Sequence, residues 1–405
     1  MRNEIYEVLA DDGSTWGRNA NILLVGSSGS GKTTTYVKPS ILLRSNESFV
    51  VADSKHSLCE ELSPFLRENG YKILNVDFCD IRRSCGYNPL NFIRYDTDRQ
   101  CYNEQDIMTA AACIIPTQSQ KEPFWELSAR TYLESMIAYV LECCPKAEHT
   151  LTTVVTLFHE MGTGKFKRLF QELQEIAPDS FAVSRYQLFA GAERAEKMYE
   201  SIRAFIANAI SIFAFDGAKK LATNPNQIDF AELGKHKTAV FVNTSETDRS
   251  MDALASLFYT QAIHVLYDLA DHSPNHKLEV PVRIYLDDFT SSGTIPEFSK
   301  IASTARSRGL TLSVIIQSIS QLDTAYGQTD ARSVVQNMDS CIYLGGTDVE
   351  TAKYFSCRAN VPLAKILNME LGKMWLFRRG SQPVLLDKYR VDFEQSTENA
   401  LEPAA

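Results

Sequence analysis

The sequence predicts an α/β fold: a parallel-rich central sheet carrying a phosphate-binding loop, with an all-α domain inserted into it. Three observations lead there. Short, wholly apolar runs alternate with helical segments, as expected for strands of a parallel sheet buried on both faces. The first run ends in a glycine-rich turn, Gly26 to Thr33. A long middle stretch then shows apolar residues at helical spacing only. The domain division that follows is residues 1–97 and 225–405 for the nucleotide-binding domain and 98–224 for the all-α domain.

Ala20 to Gly26 reads as the first buried strand, with a helix from Lys32 to about Leu43. Phe49 to Asp53 and Lys72 to Asp77 are two further strands, separated by a helix over Ser57 to Asn69 that Gly70 terminates. The helical stretch opens with the stripe Trp125, Ala129, Tyr132, Leu133, Met136, Ile137, Val140 and Leu141. It continues over Leu151–Glu160, Phe166–Ile176 and Ala192–Phe213. The α/β pattern resumes with strands at Thr238–Asn243, Val282–Leu286 and Leu310–Ile316, and helices at Leu254–Ala270 and Pro296–Ser307. Cys341–Leu344 and Met374–Phe377 read as the last two strands, and the polar tail from Glu394 as frayed.

The chain has 405 residues, enough for more than one domain, and its 44% hydrophobic and 22% charged residues are ordinary for a soluble globular protein. A net charge of −9 exerts no general pull on nucleic acid, so any grip on DNA must come from local cationic clusters. Nine cysteines without a Cys-x-x-Cys pair read as reduced thiols, not as a disulfide frame or a zinc site. The polar, acidic start does not read as a signal peptide, and no window holds the roughly 18 apolar residues a spanning helix needs.

Gly26-Ser-Ser-Gly-Ser-Gly31-Lys32-Thr33 matches the P-loop pattern G-x-x-x-x-G-K-[ST]. Glycines let the loop wrap so that backbone N–H groups face a phosphate, and the following helix adds its positive end. Gly26, Ser27, Ser28, Gly29, Ser30, Gly31, Lys32, Thr33 and Thr34 are therefore the expected ATP-binding residues. Lys32 is the expected phosphate cation, and the Thr33 hydroxyl an expected ligand of Mg²⁺. The second Mg²⁺ ligand should be a carboxylate ending a neighbouring strand. Asp287, followed by Asp288, fits best, because adjacent carboxylates repel unless a cation compensates them. Asp53 ends an equally apolar strand and stays open as the alternative. Asp288 is the candidate to orient or deprotonate water, and Gln317 is either a γ-phosphate sensor or a polar strand end. Arg306 and Arg308 are arginine-finger candidates for a neighbouring subunit's nucleotide, or else a solvated helix end.

Several stretches together resemble the coupling-protein ATPases of type IV secretion and conjugation, the TraG/TraD group. They are Asn21–Thr33, Asp53-Ser-Lys55, Gly70-Tyr71 leading to Tyr87-Asn-Pro-Leu90, Phe124-Trp125, and Leu286-Asp-Asp-Phe-Thr with Ile295-Pro296. Arg306-Ser-Arg-Gly309, Gln317-Ser318, Gln321-Leu322 and Leu344-Gly-Gly346 complete the set, in the family's order along nearly the whole chain. The resemblance implies a RecA-like motor domain plus an all-α domain, and a homo-hexameric ring with ATP at subunit interfaces, the isolated chain being a monomer or a ring. It implies a relaxase–DNA substrate, with single-stranded DNA, passed to the channel components of a type IV secretion system. It puts Asp287 in the Walker B place, Gln317 in the sensor place and Arg306 in the finger place. Two departures stand out. Asp288 replaces the usual Glu, which bears on hydrolysis more than on binding. The usual N-terminal membrane helices are not seen, so the chain reads as the cytoplasmic part of a membrane-anchored protein or as a soluble variant, acting at the cytoplasmic face of the cell membrane.

Three functions compete. An ATP-driven translocase of conjugative transfer accounts for the P-loop and the ordered motifs. A nucleotide-gated receptor with little hydrolysis is favoured by Asp288 and by the net acidity. A DNA pump of the FtsK/HerA kind shares the motor but has no support from Tyr87–Leu90 or Arg306–Gly309. Arg82-Arg83, Arg194 with Lys197, Lys219-Lys220 and Arg378-Arg379 are the basic pairs available for DNA, and solvated surface is the plainer reading of each.

Overall fold

The computed structural model describes residues 2–10, 17–44, 46–53, 56–117, 123–161, 163–190, 196–245, 247–288 and 294–389. The apolar runs form strands. In chain order these are β1 (Ile22–Val25), β2 (Ser48–Ala52), β3 (Lys72–Asp77), β4 (Tyr95–Asp96), β5 (Cys101–Tyr102), β6 (Thr238–Asn243), β7 (Val282–Leu286), β8 (Leu310–Ile316), β9 (Ser340–Tyr343), β10 (Lys373–Arg378) and β11 (Val384–Asp387). Nine of them make one sheet in the order β11-β10-β9-β1-β8-β7-β2-β6-β3, while β4 and β5 pair separately as a small hairpin. From β9 to β3 every pairing is parallel. β10 and β11 close the other edge antiparallel.

Successive residues of a strand face opposite sides, and both sides are filled. Leu23 and Val25 of β1 join one core, and Ile22 and Leu24 the other. The second core is covered by α1 (Arg2–Ala10), α2 (Lys38–Leu43) and α3 (Ser57–Glu68). The first is continuous with the helices between β5 and β6: α4 (Glu104–Ile114), α5 (Phe124–Cys143), α6 (Leu151–His159), α7 (Gly164–Ile176), α8 (Phe181–Ala190), α9 (Glu196–Ile210) and α10 (Asp216–Thr223). The long helix α11 (Asp252–Asp271), which follows β6, packs into the same core through Phe258 and Ile263. The chain then adds α12 (Phe298–Thr304), α13 (Ile319–Gln336), α14 (Val349–Ala359) and α15 (Leu363–Leu367).

Two expectations are corrected. Met374–Phe377 is not the last strand: Val384–Asp387 follows it as β11. Its apolar run, Val384 to Leu386, is short, and only Leu386 of that four-residue edge strand is buried. The helix expected from Lys32 to Leu43 is not one regular helix either. It opens with a π-turn over Thr33–Val37, in which the Lys38 amide bonds to the Thr33 carbonyl, before α2 begins. Pro39 has no N–H to offer Thr35, four residues back, and its ring crowds that carbonyl, so a wider turn relieves both. The nine cysteines are free thiols, as expected. The tail from Glu394, together with Lys55, Arg194, Phe289 and Thr290, lies outside the described residues.

Candidate functional site

The strand order assembles the site. The P-loop leaves the end of β1, Gln317 follows β8 next to it, Asp287 and Asp288 follow β7, and Asp53 follows β2. At about 4.8 Å per strand, Gln317 is one strand from the P-loop, Asp287 two and Asp53 three.

The P-loop is tied to both neighbouring strands. The Gly26 amide donates to the Ile316 carbonyl over 3.1 Å, and the Ser27 amide donates to the Gly345 carbonyl over 3.0 Å. Gly26 has no room for a side chain: a Cβ there would lie 2.9 Å from Leu344 Cβ and 2.5 Å from Ser30 Oγ. Gly31 sits at φ +89°, in the region that glycine alone enters freely. Lys32 Nζ donates to the Gly26 carbonyl over 3.2 Å, folding the side chain back across its own loop. Lys388, just past β11, donates from Nζ to the Ser30 carbonyl over 2.9 Å. That contact spans the chain from one sheet edge to the loop, and no local pattern around Leu386-Asp-Lys-Tyr389 announces it.

The acidic pair is held by its neighbours. The Asp288 amide donates to Asp287 Oδ1 over 2.9 Å, and Gln317 Nε2 donates to Asp288 Oδ1 over 3.1 Å. Asp288 has φ +44°, a left-handed backbone that Asp tolerates better than most side chains. Behind the pair, burial and the nearby Asp287 charge push the Tyr259 phenol upward, and among the described residues its buried hydroxyl has no hydrogen-bond partner. Asp53 has a different engagement: its Oδ2 accepts from the Cys59 amide over 2.9 Å, capping the first turn of α3.

Ser28 to Thr34, Asp53, Asp287, Asp288 and Gln317 line one cleft of about 1690 Å³. It runs on toward Thr244 and Arg249 after β6, and Cys113 of α4 and Asn208 of α9 roof it. Arg306 is not in this lining. It is exposed, on the turn that precedes β8, at the opposite end of that strand from Gln317. Arg308, its rival, is committed within the chain: Nε and Nη2 bond to Asp271 over 2.7 and 3.0 Å, and the guanidinium lies 4.5 Å from the Tyr267 ring centre.

Among the described residues no cluster of three or more His, Cys, Asp or Glu could hold a metal by itself. The oxygen donors suited to a cation there are the Thr33 hydroxyl and the carboxylates after β7, which line the same cleft. That sparse oxygen set fits Mg²⁺, which keeps several waters and takes its remaining ligands from phosphates. It does not fit a metal needing an all-protein cage. The basic pairs mostly face carboxylates: Arg82 and Arg83 meet Asp80, Lys220 meets Asp216, Arg378 meets Glu7 and Arg379 meets Asp339.

Among the described residues no single helix is long and apolar enough to cross a membrane. The chain is 23% identical over 372 residues to the conjugal transfer protein TraG of Rhizobium radiobacter, covering 86% of this chain and 56% of that protein. It thus spans about half the length of the curated relatives it matches. Among solved structures it resembles the conjugative coupling protein TrwBdeltaN70 in complex with sulphate, at a TM-score of 0.70 and 20% identity, over 92% of this chain and 86% of that one. TrwB in complex with ADP and Mg²⁺ is similar at a TM-score of 0.69 and 19% identity, over 96% and 87%. These likenesses establish the RecA-like α/β fold with its all-α domain. The family model for type IV secretory system conjugative DNA transfer matches residues 3–359. The chain belongs to the conjugative DNA transfer family of type IV secretory systems.

Proposed function

We propose that this protein is an ATP-driven coupling protein, which recruits a relaxase–DNA substrate and drives its transfer into the secretion channel. One observation carries the reading: the P-loop, the acidic pair and Gln317 converge on a single cleft from three adjacent strands. The nucleotide reading draws further support from TrwB, a protein of the same fold that is described in complex with ADP and Mg²⁺.

In this reading the loop Gly26 to Thr34 wraps the phosphates, which the amides from Gly31 to Thr34 and the Lys32 ammonium take. Thr33 and Asp287 hold Mg²⁺, which neutralises charge on the phosphate oxygens. Asp287 is preferred to Asp53 because it is one strand nearer the loop and because Asp53 already caps α3. Asp288 orients water, Gln317 positions Asp288 and reads the terminal phosphate, and Arg306 reaches a neighbouring subunit's nucleotide within a homo-hexameric ring. Residues 1–97 and 225–405 act as the motor and 98–224 as the all-α domain that reads substrate. The protein works at the cytoplasmic face of the cell membrane, with single-stranded DNA and the channel components as partners. The low-hydrolysis reading has one observation in its favour: Gln317 already occupies an oxygen of Asp288.

Complementation in a mating assay tests the motor. Lys32→Ala and Asp287→Ala should each abolish transfer at normal protein levels. Transfer at the wild-type frequency in either variant would refute an ATP-driven role.

A further inference from the structure

We propose that Lys388 is a second lysine of the phosphate site, a positioning residue that sets the P-loop from outside by gripping the Ser30 carbonyl. The inference rests on the nucleotide-binding reading of the loop and adds a residue to it.

A loop that turns its amides inward to an anion turns carbonyls outward, and those need partners or solvent. At the base of this loop, strand neighbours supply the fixing bonds, to Ile316 on one side and Gly345 on the other. Nearer the tip, the Ser30 amide bonds within the loop, to the Ser27 carbonyl over 3.1 Å. The Ser30 carbonyl is the point where a distant element reaches in, through Lys388 Nζ at 2.9 Å. The lysine is aimed from a fixed backbone. Leu386 is buried, the Lys388 amide bonds to the Gly372 carbonyl over 2.8 Å, and Tyr389 packs against the sheet core.

Two consequences follow for an anion in the loop. The Ser30 carbonyl belongs to the same peptide unit as the Gly31 amide. A cation on that oxygen polarises the unit and strengthens Gly31 N–H as a donor. The ammonium also adds a positive charge beside the loop while Lys32 turns to the phosphates. Lys388 thus acts through the loop backbone on every nucleotide that fills it, diphosphate and triphosphate alike.

Calorimetric titration of ADP and of ATP with Mg²⁺ into wild type, Lys388→Met, Lys388→Arg and Lys32→Ala tests this. Lys388→Met should bind both nucleotides about tenfold more weakly, the scale of one charge-assisted hydrogen bond. Its thermal midpoint should be unchanged, and Lys388→Arg should recover most of the affinity. Wild-type affinity in Lys388→Met, with binding lost in Lys32→Ala, would overturn the inference and leave the P-loop reading intact. Undiminished binding in Lys32→Ala would instead sink the P-loop reading itself. Weaker binding matched by a lower thermal midpoint would make Lys388 a residue of the fold and overturn the proposal.

Discussion

Gln317 Nε2 and Asp288 Oδ1 lie 3.1 Å apart, a hydrogen bond joining the ends of β8 and β7 directly beside the P-loop. It holds Asp288 by one oxygen. Asp288→Asn keeps an acceptor for Gln317, and Asn also suits the left-handed backbone at φ +44°. Only the charge is lost. Nucleotide affinity should stay within about threefold while turnover falls by roughly 10² or more, the usual contribution of a general base. A phosphate-release assay beside a binding titration reads both. Turnover retained in Asp288→Asn would remove it from the base role.

Asp287 and Asp53 separate by experiment. Asp53→Ala removes the acceptor for the Cys59 amide and should cost about 1 kcal/mol of stability, as for a lost helix cap. Its Mg²⁺-dependent nucleotide affinity should not change. Asp287→Ala should do the reverse, abolishing the gain in affinity on adding Mg²⁺. Titrations with Mg²⁺ and with EDTA, paired with urea unfolding, distinguish the two carboxylates.

Beneath the P-loop helix lies a buried polar network. Arg283 of β7 is fully buried, with Nε 2.9 Å from Glu47 Oε1 and Nη1 3.3 Å from Ser313 Oγ. Tyr36 of the π-turn meets Ser313 Oγ at 2.6 Å, and Ser40 of α2 meets the Tyr285 hydroxyl at 2.8 Å. These bonds tie the segment after the P-loop to the strands that bear Gln317 and Asp287. Arg283→Met removes the nearer of two buried cations from Glu47, leaving Arg44 Nε at 3.7 Å, and should cost about 3 kcal/mol in urea unfolding, the low end for a broken buried pair. Tyr36→Phe should cost only about 1 kcal/mol, because Ser313 keeps Arg283 as a partner.

Asp348 gives a pH signature. Its carboxylate caps α14 at the Thr351 amide over 2.9 Å and accepts from Ser320 Oγ over 2.9 Å. A hydrogen bond from the Thr351 side chain leads the causes that hold its pKa below the ordinary value of 3.8, and the Thr351 amide and Ser320 hydroxyl add to it. A carboxyl depressed in the folded state stabilises above its unfolded pKa and loses that stabilisation as pH falls through the folded one. Asp348→Ala should therefore cost about 1 kcal/mol at neutral pH. The difference from wild type should shrink below about pH 4. A constant difference from pH 7 to pH 3 would show that the charge is not what stabilises.

The sequence was most legible where burial is complete. β6, β7 and β8 fall on the residues their apolar runs mark, because a strand covered on both faces admits little else. The P-loop was equally legible, since Gly26 and Gly31 answer local backbone demands that only glycine meets. Legibility failed at the edge. β11 has an apolar run of only three residues, Val384 to Leu386, with one of them buried, and the hairpin Tyr95–Asp96 with Cys101–Tyr102 is mostly exposed, so neither carries the pattern of a buried strand. The antiparallel course of β10 rests on a pairing with β9 that local residues do not specify. The choice between Asp287 and Asp53 turns on strand order, a tertiary fact, and so does the choice of Arg306 over Arg308 once Asp271 claims the latter. Lys388 escaped for the same reason: its partner is 358 residues away.

Nucleotide binding at the P-loop is tested most directly by calorimetry of ATP with Mg²⁺ against the folded wild-type chain and Lys32→Ala. One site per chain is expected in the wild type, and affinity weakened by more than about tenfold in the variant, as for loss of a charge-assisted contact. No heat of binding from well-folded wild type, or equal affinity in the two proteins, would contradict it.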